Sequence, residues 1–93
     1  MGAQMNNNFE TNLRDFNKYK NLIPNYLSYA KVKIDANTKE ALGIFQNAKR
    51  FSIDMQKCAE EIEDATGVEL AQKFQKDSED GIDKCYKKLE KTK

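Results

Sequence analysis

From Ala41 to Ala65 apolar and small residues recur at intervals of three and four without a miss. They are Ala41, Phe45, Ala48, Phe51 (with Ser52), Met55, Cys58, Ile62 and Ala65. Side chains at these intervals share one face of an α-helix, whereas on a strand they would scatter over both faces. Lys49, Arg50, Asp54, Lys57, Glu60, Glu61 and Asp64 occupy the other faces. The spacing predicts an amphipathic helix of about seven turns. Its stripe needs other apolar surfaces to cover it.

The remainder of the chain offers such surfaces. Phe9, Leu13 and Phe16 fall at i, i+4 and i+7, with Tyr19 at the edge of their face and Asn8 suited to cap a helix N-terminus. Pro24 lacks a backbone donor and disfavours helical geometry at Ile23, so a first helix is expected over about 9–22 and a second over about 25–36. Leu27, Ala30 and Ile34 carry the spacing through the second. Asp35-Ala36-Asn37-Thr38 suits a cap, and the chain either breaks there or runs on as one long helix.

Thr66-Gly67 predicts the next turn in two ways. Gly67 suits a left-handed C′ position with Val68 as its apolar contact, and Thr66-Gly67-Val68-Glu69 reads as a capping box. A last helix over 68–91 then uses Val68, Ala71, Phe74, Ser78, Ile82, Cys85 and Leu89. Gly81 weakens it by about 1 kcal/mol relative to Ala, and a bend near Asp77–Gly81 is a further option. The polar residues 1–8 show no periodicity and read as a disordered tail. The expected fold class is all-α: a small antiparallel bundle of three or four helices, with one domain over 9–91.

Composition narrows the function. The chain has 93 residues, 33% of them charged, and its 16 Lys and Arg against 15 Asp and Glu give a net charge of +1. That is no electrostatic footprint for nucleic acid. No apolar run approaches the ~18 residues of a membrane span. Asn6 stands where N-myristoylation wants Ser or Thr. The sequence has no His, which removes the commonest general base and a principal zinc ligand. It has no Gly-rich phosphate loop and no nucleophile elbow. Aligning Gly81 with the invariant glycine of an EF-hand loop puts Lys76 and Lys87 where acidic ligands belong, so the acidic run 77–83 is no calcium loop. Neither an enzyme nor a cofactor is expected.

Three sets of residues remain as candidates. Cys58 and Cys85 both lie on apolar stripes, as one disulfide stapling the last two helices, as buried free thiols, or as a bond between chains. With a turn at Gly67 they stand about 13 Å apart in height, more than a straight hairpin bridges. A staple would point to an oxidising compartment, and secretion is favoured narrowly over a cytoplasmic location. Tyr19, Tyr26 and Tyr29 crowd the Pro24 region, either as the edge of the core or as a binding patch. Glu60, Glu61, Glu63, Asp64 and Glu69 cluster around the turn as a solvated end or as a surface for a basic partner. The leading expectation is a non-enzymatic protein-interaction module. The alternatives are a small carrier holding an apolar ligand between helices and a helical protein that self-associates to cover the Ala41–Ala65 stripe.

Overall fold

The computed structural model describes the backbone of residues 2–91 and the side chains of residues 8–91. Three helices follow one another: α1 (Gly2–Ala36), α2 (Thr38–Glu61) and α3 (Ala65–Lys91). The chain is an all-α bundle in which α2 packs extensively against both α1 and α3, while α1 and α3 touch much less.

α1 runs unbroken through Pro24, against the break expected there. A proline inside a helix costs about 3 kcal/mol. Ile23 and Leu27 on either side of it are buried, as is Ala30. Burying each of the two large side chains is worth about 1.5–3 kcal/mol, so packing outweighs the lost backbone bond. The Pro24 ring itself faces solvent. α1 also takes in residues 2–8, the run expected as a tail; Met1 lies outside the described residues. Between Ala3 and Asn8 there is neither Pro nor Gly to interrupt the backbone ladder.

The first turn is at Asn37, so residues 24–65 form parts of separate helices and not one. Asn37 has extended geometry (φ −153°, ψ 87°), and its side-chain oxygen accepts from the Glu40 backbone N–H at 3.1 Å. The Thr38 hydroxyl donates to the Ile34 carbonyl at 2.7 Å. This pair closes one helix and opens the next.

The second turn falls at Ile62–Asp64, earlier than Thr66-Gly67. The left-handed residue is Glu63 (φ 56°), and no described glycine has positive φ. Asp64 caps α3, its Oδ1 accepting from the Gly67 N–H at 2.9 Å. The Thr66–Glu69 capping box is therefore not the device used. Gly67 sits inside α3 for a packing reason: a Cβ there would lie 2.7 Å from the Phe16 ring. Gly81 serves the same purpose for Phe45, and α3 passes through 77–81 without a break.

Nearly all of the Ala41–Ala65 stripe is covered within the chain. Ala41, Phe45, Ala48, Met55 and Cys58 are buried against Phe16, Ile23, Leu27 and Ala30 of α1 and Ala71 and Cys85 of α3. α1 is longer than its neighbours. Counting back from the Asn37 turn, the 24 residues of α2 reach only to about Leu13 of the 35-residue α1. The first eleven residues of α1 thus project about 16 Å beyond the α2–α3 turn. The long axis of the molecule is 58 Å, against 17 and 16 Å across.

Candidate functional site

A second row of apolar side chains runs beside the core on both α1 and α2. On α1 it is Leu22, Tyr26 and Tyr29; on α2 it is Ile44 and Phe51, with Asn47 between them. Each set steps by three and four residues, so each lies along one line of its helix. Where the two lines meet, Leu22, Asn25, Tyr26, Tyr29, Ile44 and Asn47 line a groove of about 480 Å³ that is open to solvent.

Phe51 divides the three tyrosines. The Tyr19 ring stacks on it (centroids 5.7 Å apart, planes at 23°), and Tyr26 meets it edge-on (5.4 Å, 74°). Offset and edge-to-face pairs of this kind add about 0.5–1.5 kcal/mol each to the burial of the rings. They hold Tyr26 as a fixed wall of the groove. Tyr19 is on the far side of Phe51 and does not line it. Burial raises the Tyr19 hydroxyl pKa above its ordinary value, and the negative charges of Asp54 and Asp15 push it the same way.

Tyr29 stands at the groove mouth, 51% exposed. Its hydroxyl donates to Glu40 Oε1 at 3.2 Å, and Lys33 Nζ lies 5.5 Å from its ring centroid. Lys33 and Glu40 are themselves paired at 3.8 Å. Tyr29 is thus oriented by partners on two helices and keeps about half of its surface free. Val32, three residues further along α1, is 76% exposed and does not line the groove.

Of the tyrosine patch, then, the fold brings Tyr26 and Tyr29 into one groove and sets Tyr19 behind Phe51. Sequence reasoning missed Leu22, Asn25, Ile44, Asn47 and Phe51 as parts of this place. The signal lay in the second 3/4-spaced line on α2, one position away from the stronger core stripe.

The cysteines are not stapled. Both are free and buried. Cys58 lies five residues before Glu63 and Cys85 twenty-two after it. Along antiparallel helices this separates them by about 25 Å, where a disulfide needs Cα atoms within about 7 Å. Moving the turn from Gly67 to Glu63 widens the gap that the spacing already implied. Burial raises both thiol pKa values, and at Cys58 the charges of Asp15, Asp54 and Glu61 add to it. Such thiols are poor nucleophiles at neutral pH.

The acidic run 77–83 lies within α3, and the Ser78 hydroxyl there donates to the Phe74 carbonyl at 2.8 Å. Among the described residues no group of three or more Cys, Asp or Glu is placed to hold a metal ion. Among them, too, no helix is long and apolar enough to cross a membrane. No protein-family model matches the chain, and none of the curated proteins or solved structures compared with it does either.

Proposed function

We propose that this protein is a non-enzymatic binding module that presents the α1–α2 groove to a protein partner. The observation that carries this reading is the groove itself: Tyr29 is exposed at its mouth, and half-buried Leu22, Tyr26 and Ile44 line it. Tyrosine is enriched at protein interfaces because its ring is a large, stiff apolar body with a polar tip. Asn25 and Asn47 are exposed on opposite walls, each able to donate and accept hydrogen bonds at the rim.

The openness of the groove favours a macromolecule over a small ligand. A small-molecule site encloses about 70–90% of its ligand. The small residues Ala30, Ala41 and Ala48 are fully buried and serve close helix approach. Self-association to cover the Ala41–Ala65 stripe loses its motive, because α1 and α3 already cover most of it.

Asn25→Arg and Asn47→Arg block the groove from exposed positions and spare the core. The wild-type protein, used as bait in extract of its source, is expected to retain a defined partner that the double variant loses, with both proteins melting at the same temperature. Equal retention by both would remove the groove as the binding surface. A rise in melting temperature with a long-chain fatty acid, abolished by the same double variant, would replace the protein partner with an apolar ligand.

A further inference from the structure

The two ends of the bundle differ in charge, and one of them bears an uncovered stretch of helix. At the α2–α3 turn, Glu60, Glu61, Glu63, Asp64 and Glu69 stand together, with Glu10 and Asp15 alongside on α1. Arg14, Lys18 and Lys57 oppose them, and Arg14 is paired with Asp15 at 3.8 Å. At the other end the last turns of α3 carry Lys84, Lys87, Lys88 and Lys91 against Asp83 and Glu90, with Lys39 nearby at the start of α2. Lys88 pairs with Asp35 and Lys33 with Glu40, while Lys84, Lys87 and Lys91 are exposed.

The apolar surface follows the same polarity. Phe9 and Leu13 continue the face of α1 that buries Phe16, yet they are 47% and 39% exposed because α1 outruns the turn. Phe16 is the last large side chain on this face to be buried, and it rests on Gly67 at the start of α3. At the lysine end Tyr86 is 49% exposed among the cations. Each end therefore offers an apolar contact set in charge of the opposite sign.

We infer that the protein self-associates head to tail: the acidic turn and projecting α1 of one copy seat against the lysine-bearing end of α3 of the next. A two-fold pairing of either end with itself would oppose like charges. The head-to-tail contact is heterologous, so it propagates into a row of copies instead of closing as a dimer. An end face of 17 by 16 Å, even with the projecting helix, falls below the ~800 Å² per partner of a stable interface. The association is accordingly weak, with a dissociation constant on the order of 0.1–1 mM, and sensitive to salt.

Sedimentation equilibrium at about 0.1–1 mM protein tests this in buffers of about 20 mM and 500 mM salt, which span the range over which exposed charges become screened. The expected weight-average mass rises above the monomer's 10.7 kDa with concentration in low salt and returns to it in high salt. Two charge-reversed proteins locate the contact. One carries Glu60→Lys, Glu61→Lys and Glu63→Lys; the other carries Lys84→Glu, Lys87→Glu and Lys91→Glu. Each alone is expected to be monomeric, and their mixture, in which both contacts again join opposite charges, to regain a mass that rises with concentration in low salt. A mid-bundle control, Arg50→Glu, Lys73→Glu and Lys76→Glu, matches the net charge of the second protein, keeps both ends unchanged and should still self-associate on its own in low salt. Monomer mass of the wild type in low salt, association indifferent to salt, or loss of self-association in the control as complete as in the second protein would overturn the inference.

Discussion

The ring of Phe45 occupies the space that a side chain at Gly81 would need. Phe45 is 1% exposed, so its ring has no free volume to move into. Gly43, on the same helix as Phe45, has nothing within 4 Å of where its Cβ would be. The two glycines should respond oppositely to the same change. Gly43→Ala is expected to stabilise the protein by about 0.5–1 kcal/mol through helix propensity. Gly81→Ala gains as much in propensity and loses more to overpacking, for a net destabilisation of about 1–2 kcal/mol. Urea unfolding of both variants measures the difference, and equal stabilisation would mean that α2 does not pack on α3 as described.

Three single substitutions examine the second turn. Asp64→Ala should cost about 1 kcal/mol by removing the cap on Gly67 N–H. Glu63→Gly should raise stability by up to about 1 kcal/mol by relieving the left-handed backbone at φ 56°. Thr66→Ala should stay within about 0.5 kcal/mol of wild type. A larger loss at Thr66 than at Asp64 would return the turn to the place that its Thr-Gly pair suggests.

Pro24→Ala restores a donor to the middle of α1. The gain inside the helix is about 3 kcal/mol, reduced by about 0.4–1 kcal/mol for the greater freedom of the unfolded chain. A net stabilisation near 2 kcal/mol by thermal or urea unfolding, with unchanged helix content by circular dichroism, is the expected outcome. Destabilisation would show that the chain needs a break at Pro24.

Alkaline pH should weaken the fold. The pKa values of Cys58, Cys85 and Tyr19 are raised in the folded state, chiefly by burial. The folded protein therefore holds these protons more tightly than the unfolded chain does. Their contribution is complete below the ordinary thiol value of about 8.5 and is lost as pH rises through the raised folded values. Melting temperature should fall from about pH 8.5 upward, and less steeply in Cys85→Ala than in wild type. Denatured without reductant, the chain should take up two alkyl groups, since both thiols are free.

Much of this fold is legible in the sequence, because the α2 stripe, the Asn37 cap and the stripe of α3 are local patterns that the packing respects. What was not legible depended on contacts distant in sequence. Pro24 stays helical because Ile23 and Leu27 are buried by α2. Gly67 and Gly81 look like breakers, yet each is a flat place for an aromatic ring from another helix. Asp64 caps α3, although Thr66-Gly67 carries the stronger local turn signal. At the site, Tyr26 and Tyr29 were visible as a patch. Ile44 and Asn47 were hidden because their line on α2 is shorter and weaker than the core stripe beside it.

The groove as the binding surface is tested most directly by photo-crosslinking in cells of the source organism. A photoreactive side chain is placed at Asn25, Tyr29 or Asn47 in the groove, and at Gln72 or Lys76 on the exposed face of α3. The binding-module reading predicts one discrete protein adduct shared by the three groove positions and absent from the α3 positions. An adduct confined to α3, or equal labelling at every position, would contradict it.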